Sequence, residues 1–384
     1  MKTATALIAG LFFTTSAVDA GTAGRFRPAE PAYVVLRVPA RNSADPIALL
    51  EQRHASSPGD ERTDARLAEL YLERARAERQ PRYFARAEAI LQPWMSRAEV
   101  SAATLRVQAD ILQNRHEFST AIGLLDRAIV RDPRDTGARL MRASVKLVQG
   151  EAVEARADCA AVLTAGESTT GTICLAQVLG ATGGLARAGA LLSTLVARDL
   201  GTPAVRAWAY WLLGDFADRR GDATGAEENL RTALTAAPEN EGIRSALSDL
   251  LTARGAHREA AAITDVSTPS IGLLARRAIA QASLHDAALS ETRAQIDELL
   301  TLSRRRGEVP HLREETLIAL DVDHDPKRAL VLARENFESQ RETIDVRLLM
   351  RAARACNDSL ALAEVTRWIH KMGYEDRVIG GARS

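Results

Sequence analysis

The sequence predicts an all-α protein, a right-handed solenoid of stacked helix-turn-helix hairpins, and three observations carry that prediction. First, a small residue is followed twelve positions later by alanine six times: Ala75/Ala87, Ala109/Ala121, Ala143/Ala155, Ala176/Ala188, Gly214/Ala226 and Ser248/Ala260. The first members stand 34, 34, 33, 38 and 34 residues apart. A self-similar period of this length, with small residues where two helices cross, marks hairpins that bury their apolar faces against their neighbours. Second, only 4% of residues are aromatic and Ala and Leu dominate, which suits closely approaching helices better than packed sheets. Third, 384 residues are too many for one compact core but natural for a stack that grows by adding units.

Residues 1–20 read as a cleaved secretory signal. Lys2 supplies the positive start, Ala6 to Val18 the apolar stretch, and Val18-Asp19-Ala20 a small-residue cleavage site. The alternative is an uncleaved anchor. No later apolar run approaches the roughly 20 residues of a membrane span, so the chain is not expected to be an integral membrane protein. An exported, periplasmic location follows as the expectation. Residues 21–60 form a proline-rich lead-in, with a short extended run at Tyr33–Pro39 and a short helix from Asp45-Pro46 to about Ser57-Pro58-Gly59. Residues 61–268 hold the six repeats.

The clearest repeat runs from Ala102 to Asp135. Its first helix carries Leu105, Ala109 and Leu112, its turn Asn114, Arg115 and His116, and its second helix Phe118, Ala121, Leu125 and Ala128 before Asp132-Pro133. Apolar residues at helical spacing flank a turn, and the proline cannot extend the second helix. Residues 207–240 repeat this with Tyr210, Leu213, Gly214, Gly221, Ala226, Leu230, Ala233 and Pro238. Residues 269–374 read as divergent helical hairpins capping the stack, with helices expected at 270–306, 311–320, 326–340, 343–356 and 359–371. A tail occupies 375–384.

Composition narrows the function. Basic and acidic residues cancel at 50 each, which argues against nucleic-acid binding. Only four of the basic residues are lysine, a bias that fits a GC-rich bacterial genome. Of three cysteines, Cys159 and Cys174 fall on consecutive helices across a short loop. An oxidising compartment would allow them to bridge; otherwise they are two buried apolar thiols.

No catalytic constellation emerges, and no enzyme activity and no cofactor are expected. His116-Glu117-Phe118-Ser119-Thr120 begins like a zinc-protease helix but lacks its second histidine, and His311-Leu312-Arg313-Glu314-Glu315 fails the inverted pattern in the same way. The densest polar cluster is Asp321, Asp323, His324 and Asp325, a weak metal candidate. It precedes Pro326 at a helix start, where Asp325 caps and Asp323 favours the dipole.

Ala109, Ala121, Ala128 and Pro133, with Gly214, Ala226, Ala233 and Pro238, closely resemble the small-residue and proline positions of the tetratricopeptide repeat. The fit is weaker at 136–168 and 169–206, where Val162, Glu167, Leu195 and Leu200 depart from it. The chain also resembles a group of exported bacterial tetratricopeptide proteins. That likeness rests on Tyr71–Arg76, Pro81-Arg82-Tyr83, Pro93-Trp94, His311–Glu315, Ala333–Asn336 and Gln340–Glu342.

The resemblance implies that first helices line a concave groove. Carried over position by position, it places there Arg76 and Arg79, then Arg106, Asp110, Gln113 and Asn114, then Gln177. Trp208, Trp211, Asp215, Asp218, Arg219 and Asp249 follow, with Leu140, Leu147 and Val148 as an apolar floor. The lysine and asparagine of the family's two-carboxylate clamp are absent. The function so implied is a non-catalytic scaffold or adaptor of the bacterial cell envelope, binding a protein or peptide partner as an extended segment or a helix. Two alternatives stand beside it: a metal or small-ligand binder using Asp321–Asp325, and a scaffold that self-associates.

Overall fold

The structure is a computed structural model, and it describes residues 45–380 except 79, 81 and 199. The signal-like segment, the extended run at 33–39 and the groove residue Arg79 lie outside the described residues. Among those residues there are twenty helices and no strands. The expected all-α stack of hairpins is therefore the fold observed.

A short helix α1 (Pro46–Ser56) leads into six hairpins, called units one to six. They are α2 (Glu61–Glu78) with α3 (Arg82–Met95), α4 (Ala102–Asn114) with α5 (Phe118–Arg131), and α6 (Thr136–Val148) with α7 (Ala152–Thr164). Then come α8 (Ser168–Ala181) with α9 (Leu185–Val196), α10 (Pro203–Arg219) with α11 (Ala223–Ala236), and α12 (Glu241–Ala253) with α13 (His257–Ile263). Every alanine of the six spaced pairs is at most 2% exposed, and Gly214 and Ser248 are buried. The period of the sequence is thus the period of helix crossings. At Gly214 a Cβ would lie 2.7 Å from Leu230 Cγ, so α10 and α11 approach too closely for any side chain.

The turns obey the same period. Seven residues after the small residue of each first helix, from unit two onward, the backbone enters the left-handed region: His116, Gly150, Gly183, Gly221 and Gly255. A residue with positive φ ends a helix by folding its N–H groups back onto the last carbonyls. Glycine does so without a Cβ penalty; unit two uses histidine, with φ of 60°. Second helices stop at Asp132-Pro133 and Ala237-Pro238, and Asp135 and Asn240 cap the helices that follow by accepting from Ala138 N and Ile243 N.

Three further hairpins continue the stack: α14 (Ile271–Leu284) with α15 (Leu289–Arg305), α16 (Leu312–Asp321) with α17 (Pro326–Ser339), and α18 (Thr343–Ala355) with α19 (Ser359–Met372). A final turn, α20 (Arg377–Gly380), ends the described chain. The single helix expected over 270–306 is broken. His285 adopts φ 52°, its N–H and that of Asp286 return to Ala282 O and Gln281 O, and the Asp286 carboxylate accepts from Ala288 N. Sequence periodicity continues across such a break because both halves bury an apolar stripe, so helical spacing alone conceals it.

The core is segmented along the stack. Leu67, Tyr71 and Leu91 fill unit one, Leu105 and Leu125 unit two, and Leu185, Leu192 and Phe216 units four and five. At the far end Phe337, Leu349, Val365 and Tyr374 form the last cluster. Cys159 on α7 and Cys174 on α8 are bonded, with Cα atoms 5.4 Å apart. Among the described residues no helix is long and apolar enough to cross a membrane.

Candidate functional site

The residues expected to line a groove fall into two sets. In units one and two they form an ion-pair ladder between successive first helices. Arg76 Nη2 lies 2.5 Å from Asp110 Oδ1, which also accepts from Gln113 Nε2 (2.8 Å) and Asn114 Nδ2 (3.2 Å). Arg106 reaches both ways, to Glu69 Oε1 at 3.2 Å and Asp135 Oδ2 at 3.5 Å. Burial works to raise the pKa of Glu69, but hydrogen bonds and charge from Arg66 and Arg106 outweigh it and hold the carboxylate below its ordinary value. Arg76 and Asn114 are exposed on this face.

In units three to five the chain meets its own C-terminal hairpins. The backbone N–H of Arg341, between α17 and α18, donates to Val148 O at 2.7 Å, and its Nη1 donates to Gln149 O at 2.7 Å. Thr343 Oγ1 donates to Asp215 Oδ1 at 2.7 Å, and Arg347 Nη1 to Asp218 Oδ2 at 2.5 Å. Arg219, 3% exposed, donates to Gly180 O (2.8 Å) and Glu375 O (3.0 Å), and its guanidinium stacks 4.0 Å over the Tyr374 ring. Glu375 Oε1 accepts from Leu185 N, at the start of α9. Asp215 and Arg219, read from the sequence as groove residues, thus line an intramolecular closure along the turn edge of the units.

Electrostatics at the closure follow from burial. Burial raises the pKa of Asp218, and Arg347 only partly offsets it. Burial works against the charge of Arg347, but Asp376 and Asp218 outweigh it and leave the guanidinium firmly protonated. Burial also pushes the Tyr374 hydroxyl well above its ordinary value, and that hydroxyl donates to Thr343 Oγ1.

Other expected residues serve the packing between units. Trp211 is half-buried between units five and six, where a Cβ on Gly242 would lie 3.0 Å from its ring. Gln177 is half-buried on α8. Of the acidic cluster, Asp321 pairs with Arg351, Asp323 lies 2.9 Å from Arg293 and 3.2 Å from Arg328, and Asp325 caps α17. His324 occupies a left-handed turn. Among the described residues no three His, Cys, Asp or Glu side chains converge as metal ligands.

No repeat position marks Thr343, Arg347, Tyr374 or Asp376, because their partners lie more than 120 residues away or near the C-terminus. One signal pointed near them. The quoted stretches His311–Glu315, Ala333–Asn336 and Gln340–Glu342 meet in a buried network that sets the α17–α18 loop. Arg313 binds Asp345 (2.7 Å), Glu342 (2.7 Å) and Gln340 (3.0 Å), while Asn336 Nδ2 donates to Asp345 at 2.8 Å.

No protein-family model matches the chain, and no curated protein matches it. Solved structures with a similar course include a thermophilic TPR protein of Thermus thermophilus, 20% identical over 52% of this chain and 100% of that one, with a TM-score of 0.39. The human IFIT1 dimer with m7Gppp-AAAA is 12% identical over 85% of this chain and 82% of that one, at 0.48. The APC/C hetero-tetramer Cut9-Hcn1 is 18% identical over 80% and 59%, at 0.43.

Proposed function

We infer that the protein is a non-catalytic protein-interaction scaffold of the bacterial cell envelope. It binds an extended peptide or a partner helix along the concave face of its first helices, on the stretch offered by units one and two. One observation carries this reading: the Arg76–Asp110–Asn114 and Arg106–Glu69–Asp135 ladder presents both charges in alternation on a rigid pair of helices. Such a face can trade its internal pairs for those of an incoming segment at little net cost, since surface ion pairs contribute about 0–1 kcal/mol each. Two features support export to the periplasm, the signal-like residues 1–20 and the Cys159–Cys174 bridge, a bond that persists in oxidising compartments.

The test is capture of crosslinked partner from the native envelope. Arg106→Ala and Asn114→Ala are expected to weaken capture while the helical circular dichroism stays unchanged. Equal capture by wild type and both variants would move binding off this face. Trp211→Ala is a poorer probe, because that ring also packs units five and six together.

A further inference from the structure

We propose that the turn edge of units three to five is a docking surface for an arginine-bearing peptide segment. In this chain the α17–α18 loop and the Tyr374–Asp376 turn occupy that surface as a strap, so a partner and the strap exclude one another. The inference is independent of the face on units one and two.

The edge is built for arginine. The last turn of α6 offers the carbonyls of Val148 and Gln149, at the negative end of a helix dipole, and Arg341 donates to both. Asp215 and Asp218 on α10 meet Thr343 and Arg347 one turn further along α18. Gly150 has no side chain to obstruct this approach. A Cβ there would stand 2.9 Å from Arg341 Cδ and 3.0 Å from Trp368.

The strap is also removable. In a solenoid each hairpin is held by its neighbours, so contacts between distant units can be lost without unravelling the stack. The interface is mostly hydrogen bonds and ion pairs, the kind that exchange readily against an equivalent ligand. It is imperfectly satisfied as well: Gln149 Oε1 and Arg341 Nε are buried there without hydrogen-bond partners. An incoming segment that also satisfied Gln149 Oε1 would compete on favourable terms.

The experiment uses the full chain and a fluorescent peptide spanning Gln340–Arg347. In Arg347→Glu, hydrogen exchange of the α17–α18 loop and the Tyr374–Asp376 turn is expected to speed at least tenfold, with α2 to α5 unchanged. The peptide should bind Arg347→Glu at least tenfold more tightly than wild type. Arg341→Ala, which leaves the α18 contacts in place, provides a milder opening should Arg347→Glu lose its helical signal. Unchanged exchange in a folded opened variant would overturn the strap, and an opened edge that does not bind the peptide would overturn the docking surface.

Discussion

At Gly214 the crossing of α10 and α11 leaves no space for a methyl group, with Leu230 Cγ 2.7 Å from where it would sit. Gly214→Ala would gain up to about 1 kcal/mol of helix propensity, but overpacking a tight core costs about 1–3 kcal/mol. A net loss of stability on denaturant titration is therefore expected. His116 makes a second prediction. Burial lowers its pKa, and the charges of Glu314, Arg313, His311 and Asp345 act on it as well. Its Nδ1 is buried without a hydrogen-bond partner. A histidine kept neutral by the fold contributes stability that is complete above its ordinary value of 6.5 and is lost as pH falls towards the depressed folded value. Thermal melting should decline as pH falls below about 6.5, and His116→Asn, which tolerates the left-handed turn, should flatten that decline. The glycine was legible in the sequence because a fixed spacing repeats it. The surroundings of His116 were not, since the charges that act on it come from residues 311 to 345.

Among elements, the bond between α7 and α8 closes a loop with a sequence separation of 15. A crosslink of that span stabilises by about 3 kcal/mol, mainly by restricting the unfolded chain. Cys159→Ser is expected to lower stability by that order, and reductant should do the same to wild type and nothing to the variant. Equal melting with and without reductant would contradict this. The six hairpins could be placed from the sequence because small residues, turn residues and prolines recur together, so each signal corroborates the others. The C-terminal hairpins lack that agreement. Between α14 and α15 the break falls on His285, where neither a glycine nor a proline marks the helix end. Trp211 shows the converse limit. The resemblance placed it on the groove, whereas much of its ring is engaged in holding units five and six together.

The molecule as a whole is a hairpin stack whose last hairpins return to the turn edge of its middle units. A repeat pattern describes contacts between neighbours, and nothing in its period encodes a meeting between Arg341 and Val148 or between Arg347 and Asp218. That return covers the turn edge of units three to five and leaves the ladder on units one and two outside it. The proposed partner site is the ladder. The most direct test is a photo-crosslinking residue introduced in the native host at Asn114, on the ladder, and separately at Val130, 81% exposed on α5. The account predicts a protein adduct at position 114 that Arg106→Ala diminishes, and none at position 130. Adducts at position 130 with none at position 114 would contradict it.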